Sequence, residues 1–463
     1  MKGKLSDSQA GYVLDHLGHH AVIGEALKGL FRFQRQGADS APSVLFNTAR
    51  EAFDPGKVIR IRDIPVLYPV GPEKDRFYTI RGKTLEFHHD LLKSAFHLLS
   101  GYEEYRSGAR DDLGRFPYSA SLQKSLEIVR RPVVNYYFEV ILKGLEKFCS
   151  LNGIPFRRKP VFDRPVLMLS HDVDRLDAYH FFETAFKFKQ LFGLAPSPYR
   201  LPGRFREAAT ALYHFSNPLS RYNPFWTFDF LHQTESERGF RSTYFFLEKD
   251  GRHQNSRYHF HEKRMCALFA ELSDRGDEVG LHGTLRSATD QEAMNRTLKN
   301  LQDQSTEPVV GIRQHFLKYT PLETALIQTG AGLKYDATMA FAEHEGFRHS
   351  YCWPYRLYDH RNDRPLGMWE IPLTVMEGTF FYYRKLDMQS ALESVRNLSV
   401  EVKKFNGVFS LLWHNHFFDE SEFPGINALY IDILDHLHSM GMEGITGREI
   451  MDRMDRHEQA LPG

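Results

Sequence analysis

From Arg164 onward, short apolar runs alternate with stretches whose apolar residues recur every three or four positions. RPVLMLS, RSTYFFL, DEVGLH, VVGIRQH, GLKYD, GMWEIPL and GVFSLLWH read as buried strands. Between two of them, Met265, Leu268, Phe269 and Leu272 follow helical spacing, and Gly276 supplies a C-terminal stop. Alternating strand and helix predicts parallel strands, and about seven of them predict a barrel or a strongly curved sheet. Side chains at the C-terminal ends of such strands share one mouth. Before this region the pattern is mixed. VLYPV (Val66 to Val70) reads as a short strand. Leu92, Phe96, Leu99 and Tyr102 share a helical face, and a second helix is predicted from Val134 to Phe148. FRRKP and Pro165 then punctuate the chain. The expected organisation is a smaller α+β accessory domain over 1–160 and an α/β barrel domain over 161–463.

One long insert, 181–225, interrupts the rhythm after the first of these strands. It carries Lys187, Lys189, Arg200, Arg204, Arg206 and Arg221 against Glu183 and Glu207, interleaved with Phe186, Phe188, Phe192, Tyr199, Phe205 and Phe215. A helical lid that packs its aromatics on the barrel is the commoner meaning of such a stretch. A surface for anionic lipid or a phosphorylated substrate, giving peripheral membrane contact, is the sharper one.

Composition narrows the function. The 463 residues are 42% hydrophobic and 25% charged, a globular balance with room for a sizeable core. Lys plus Arg and Asp plus Glu both number 59, which gives no footprint for nucleic acid. Cys149, Cys266 and Cys352 lie far apart without C-x-x-C spacing, so no zinc knuckle or disulfide framework is expected. No apolar stretch reaches signal-peptide or membrane-span length, and the expected location is the cytoplasm.

Four strand ends carry candidate chemistry. LSHDVD places Asp172 and Asp174 on one side by the period-two rule. Two like charges there are costly without a cation or a catalytic duty. A solvated pair or a helix cap is the plain alternative, and the adjacent His171 argues against a cap. DEVGLHGT ends on His282, GIRQHF puts Arg313 and His315 on one face, and LLWHNHFFDE supplies His414 and His416. Gathered at one mouth, this set suits a divalent metal, an activated water and a protonated leaving group.

These residues resemble the polysaccharide deacetylase superfamily, carbohydrate esterase family 4. Its members have a distorted (β/α) barrel and a metal held by one Asp and two His. The resemblance implies Asp172 as general base, Asp174 as metal ligand and His282 as the first histidine of H-[ST]-x-x-H. It implies Arg313 as the arginine that orients the base, and His414, from L-L-W-H, as general acid. STYFF, from Ser242 to Phe246, is similar to the family's A-T-F-F strand. Two positions depart from the pattern. Arg286 stands where the second histidine belongs, and His315 replaces the proline of R-x-P-[YF]. An arginine has no lone pair to donate, so His315 is expected to complete the metal site; the alternative is that water fills that place and His315 lines the groove and hydrogen-bonds substrate. His416, Trp413 and Arg286 are expected to contact substrate, and zinc is the expected ion. FHLLSGYEEY, DDLGRFP and RRPVVNYY resemble the upstream region of a bacterial subgroup of large deacetylase-like proteins. The implied activity is removal of an N-acetyl or related acyl group from an amino sugar in a glycan, a glycan precursor or a lipid-linked glycan. A non-catalytic carbohydrate-binding or assembly protein, and a deacylase of a small cyclic or linear amide, are the alternatives.

Overall fold

The computed structural model describes residues 3–33, 41–195, 200–217, 219, 222–250 and 256–460. Tyr199 and Arg221 of the insert lie outside them. The N-terminal region opens with helix α1 (Asp7–Gly18), held by a capping box between Ser6 and Gln9. A four-stranded sheet follows, from β1 (Phe31–Arg32), β2 (Ser43–Phe46), β3 (Tyr78–Arg81) and β4 (Thr84–Phe87), in the order β1-β2-β4-β3. The strand expected at Val66 ends there, as the second arm of a hairpin formed by Ile59–Ile61 and Ile64–Val66. Helix α2 (Leu91–Leu99) stops at Gly101, whose φ of +63° breaks the longer helix read from the sequence. Helix α3 (Val133–Asn152) closes the region.

The large sheet is built from β5 (Val166–Val173), β6 (Ser242–Leu247), β7 (Glu278–Gly283), β8 (Gly311–Gln314), β9 (Tyr335–Asp336), β10 (Tyr355–Asp359), β11 (Arg364–Glu370), β12 (Val375–Met376), β13 (Val408–Leu412) and β14 (Glu443–Gly444). Its order is β10-β11-β9-β8-β7-β6-β5-β13-β12, with β14 also pairing β5. All seven expected strands are present and consecutive in this order. Every pairing is parallel except β10 with β11. Between strands run α4 (Phe181–Leu191), α5 (Leu201–Ser216), α6 (Phe228–Ser236), α7 (Lys263–Asp274), α8 (Gln291–Gln302), α9 (Glu323–Gly330), α10 (Met388–Lys403), α11 (Ile426–Ser439) and α12 (Gly447–Gln459). Helix α7 buries Met265, Leu268, Phe269 and Leu272, the face its spacing predicts. The sheet curls into a half-barrel, because Arg313 of β8 reaches Asp172 of β5 across two intervening strands. On a flat sheet those strands would stand about 14 Å apart, beyond an arginine's reach. The ladder remains open between β10 and β12.

The N-terminal region is fused to this sheet. One continuous hydrophobic cluster runs from Tyr12 and Val13 through Phe96 and Phe138 to Leu167, Trp369 and Met454. Helix α1 also covers the exposed backbone of edge strand β10. The Tyr12 hydroxyl donates to the Arg356 carbonyl at 2.7 Å, and the Arg356 amide donates to His16 Nε2 at 3.0 Å. An uncovered edge would invite pairing with another chain. His16 Nδ1 donates to the Tyr12 carbonyl at 2.6 Å, so the ring serves as a neutral linker. Burial, aided by the His19 charge, pulls its pKa down to about 3. A buried neutral histidine contributes stability above its unfolded pKa and loses it as pH falls through the window toward the folded value. We therefore expect the stability advantage of the wild type over His16→Gln to shrink between pH 6.5 and 3. The rate should be about 1.4 kcal/mol per pH unit. Denaturant unfolding of both proteins at several pH values reads this directly, and a gap that ignores pH rejects it.

Candidate metal centre and active site

Strand ends of the half-barrel put seven side chains into one cluster. His282, at the end of β7, donates from Nδ1 to the Arg313 carbonyl at 2.8 Å, which turns the Nε2 lone pair inward. That Nε2 lies 3.4 Å from Asp174 Oδ1. His315 follows β8, and its Nδ1 lies 3.4 Å from the same oxygen and 3.1 Å from His282 Nε2. Asp174 Oδ1 is itself buried without a hydrogen-bond partner. A tetrahedron with metal–ligand arms of about 2.0–2.1 Å has edges of about 3.3–3.4 Å. Three donor atoms 3.1–3.4 Å apart, one of them an orphaned carboxylate oxygen, fit a divalent ion. Among the described residues this is the one cluster of such groups.

Two pairs flank the triad. Arg313 is fully buried over the Phe245 ring, and it donates to the Ala337 carbonyl, to Ser170 Oγ and, at 2.9 Å, to Asp172 Oδ1. Four anchors leave the guanidinium no other rotamer, so it fixes the carboxylate. Asp172 Oδ2 lies 3.5 Å from His282 Nε2, beside the triad. On the opposite side His414, just past β13, bonds Glu377 Oε1 through Nδ1 at 2.5 Å and points Nε2 to 3.7 Å from Asp174 Oδ2. Burial lowers the pKa of His414, but the Glu377 carboxylate, followed by Asp174 and Asp172, outweighs it and pushes it up to about 10.

Asp172, Asp174, His315 and His414 face a cavity of about 430 Å³, a normal size for a ligand pocket, with His282, Arg313 and Glu377 behind them. Its walls include Asp172, Asp174, His315, His414, His416 and Tyr382.

The chain is similar to several proteins of known structure. One, assigned as a polysaccharide deacetylase of Mycobacterium smegmatis, is 16% identical and covers 65% of this chain and 93% of its own, with a TM-score of 0.41. Another is Puue allantoinase, 13% identical over 63% and 91%, with a TM-score of 0.42. A third is the peptidoglycan deacetylase PdaC of Bacillus subtilis, 11% identical over 64% and 94%, with a TM-score of 0.33. Residues 35–150 match a family of unknown function, DUF7033. No curated protein matches the chain in sequence. At such identities the substrates of those proteins do not transfer, and the chemistry rests on this chain's own side chains.

Asp172, Asp174, His282, Arg313, His315 and His414 thus lie together, and His416 lines the same cavity. Two expected substrate contacts do not reach it. Trp413 is fully buried and packs against Phe418 and Tyr430, because alternation along the chain end turns it away from its neighbour His414. Arg286 pairs at 2.8 Å with Asp290, the N-cap of α8, and is absent from the cavity wall. His171 also faces away, bonded to the Trp413 carbonyl and to Glu235. Four charged residues at the site come from outside the expected set: Glu377 behind His414, and Arg175, Arg257 and Arg115 on the wall. Glu377 follows β12 in TVMEGTF, where a lone acid in an apolar run was the available signal. Arg175 and Arg257 add two cations to the mouth. Arg115 belongs to DDLGRFP of the N-terminal region, and donates to the Phe316 carbonyl at 2.7 Å. Phe316 and Leu317 both hold left-handed backbone, with φ of +56° and +52°. That conformation is strained for bulky residues and sits directly after His315. The N-terminal region thereby braces the turn that aims His315.

Proposed function

We propose that the protein is a metal-dependent N-deacetylase acting on an acylated amino sugar of a glycan or glycan precursor. The observation that carries this reading is one cavity holding a three-donor metal triad between an Arg-fixed carboxylate and a carboxylate-backed histidine. Asp174, His282 and His315 would hold the ion, for which zinc suits the mixed O/N donor set. When bound, it would supply Lewis-acid polarisation of the amide carbonyl and of water. Asp172 accepts the proton of the attacking water, and Arg313 keeps its oxygens aimed at that water. His414, held by Glu377 at Nδ1, presents Nε2 to the departing amine and donates the proton that makes it a leaving group. His416 and Tyr382 shape the wall against which the sugar lies.

The test joins metal content to turnover. Wild type is expected to retain about one divalent ion per chain and to release acetate from N-acetylated amino-sugar oligomers. His315→Ala should lose far more metal affinity than the about 10–100-fold that removing an outer hydrogen-bond partner costs. Elemental analysis after dialysis decides it. Full occupancy in His315→Ala would remove that residue from the triad, and a metal-loaded wild type inert on every acylated amino sugar would reject the activity.

A further inference from the structure

The hairpin of α4 and α5 is built inside out. Where the two helices pack, they bury Thr184, Ala208 and Ala211, and Lys187 pairs with Glu207 across them at 3.4 Å. Their large apolar side chains point outward instead. Leu201, Phe205 and Leu212 fall within about 40° of one another around α5, with exposures of 65%, 65% and 48%. Phe182 and Phe186 share a face of α4, and Phe192 and Leu194 at its end are 71% and 77% exposed. Of the 19 exposed large hydrophobic residues in the described chain, 13 lie between Phe181 and Trp226, so the patch belongs to this hairpin and not to the surface at large. Lys189, Arg200, Arg204 and Arg206 belong to the same hairpin. Two acids lie on the hairpin: Glu183 pairs with Arg175, and Glu207 pairs with Lys187 and, at 3.8 Å, with Arg206.

We propose that this hairpin seats the protein on an anionic lipid surface. Outward Phe and Leu flanked by Lys and Arg is the composition of an interfacial amphipathic helix. No helix among the described residues is long and apolar enough to cross a membrane, so the contact is peripheral. Charge decides between lipid and a second copy of this chain. An isologous dimer would lay the same basic patch against itself, whereas an anionic headgroup layer complements it. The place is also significant. Glu183 of α4 lines the metal cavity, and Arg257 at the same mouth stacks on Phe182 at 4.3 Å. A membrane under the hairpin therefore meets the cavity mouth, with Arg175 and Arg257 at the headgroup level.

Flotation of the full chain with vesicles tests this without reference to catalysis. Wild type should float with vesicles of equimolar phosphatidylcholine and phosphatidylglycerol, and more weakly with phosphatidylcholine alone. Leu201→Ser/Phe205→Ser/Leu212→Ser should lose about a hundredfold in partitioning. Lys189→Glu/Arg204→Glu/Arg206→Glu should lose the preference for anionic vesicles, with both variants folded by circular dichroism. Wild type remaining in the aqueous fraction overturns the proposal. So does equal floating of the apolar variant, or wild-type binding blind to lipid charge. A concentration-dependent dimer in lipid-free sedimentation that the apolar variant abolishes also overturns it, in favour of a second copy.

Discussion

Asp172→Asn is expected to lower kcat by about 10³- to 10⁴-fold while the metal stays bound and KM changes little. The magnitude is the upper part of what a positioned general base contributes. The reasoning is geometric. Asp172 Oδ1 is committed to Arg313 Nη1 at 2.9 Å, and the carboxylate has its other oxygen 3.5 Å from His282 Nε2, on the metal side of the cavity. Asparagine keeps the volume and an oxygen for Arg313 but cannot take a proton from water. The three expected metal donors belong to other residues, Asp174, His282 and His315, so occupancy should survive. An equal loss in kcat and kcat/KM would mark an interaction made in the transition state. The substitution also leaves the fully buried Arg313 without its carboxylate, so some loss of stability should accompany it. Turnover near the wild-type rate in a folded, metal-loaded Asp172→Asn would remove Asp172 from the chemistry.

What could be read from the sequence follows from where the physics is local. The seven strands were legible because a parallel sheet covered on both faces leaves continuous apolar runs, as in β5, where all eight residues are buried. β12 and β14 are two residues long, too short to make a pattern, and β10 runs antiparallel at the edge. The period-two rule that pairs Asp172 with Asp174 and Arg313 with His315 also sets Trp413 opposite His414. Arg286 and Glu377 are different. Arg286 is drawn off by the N-cap of the next helix, and Glu377 meets His414 only because β12 pairs β13. Arg115 comes from some 200 residues upstream of His315, a closeness that periodicity cannot express. The resemblance in DDLGRFP marked the segment without saying what it touches.

Glu104→Gln is expected to destabilise the protein by about 3–5 kcal/mol, the usual cost of removing one partner of a buried ion pair. Glu104 sits in GYEEY of the N-terminal region and grips Arg348, which follows β9, at 2.7 and 2.6 Å through both oxygens. Both side chains are buried. Burial alone would raise the Glu104 pKa, but the Arg348 charge and the His349 hydrogen bond hold it down at about 2. Gly101 helps to close the site, since a Cβ there would come within 3.0 Å of the His349 ring. The pair also has a line to the active site. Arg348 donates to the Ala340 carbonyl at 2.8 Å, and Ala342, two residues on, forms part of the cavity wall. A neutral glutamine cannot balance the guanidinium, so the segment from Ala340 to Arg348 should loosen and the cavity should widen with it. Equilibrium unfolding in denaturant measures the first effect. A double-mutant cycle isolates it: Glu104→Leu with Arg348→Met should cost less than either single change, because no unpaired charge remains buried. A Glu104→Gln protein within about 1 kcal/mol of wild type, or a double variant worse than the sum of its parts, would mean that the pair does not hold the N-terminal region to the half-barrel.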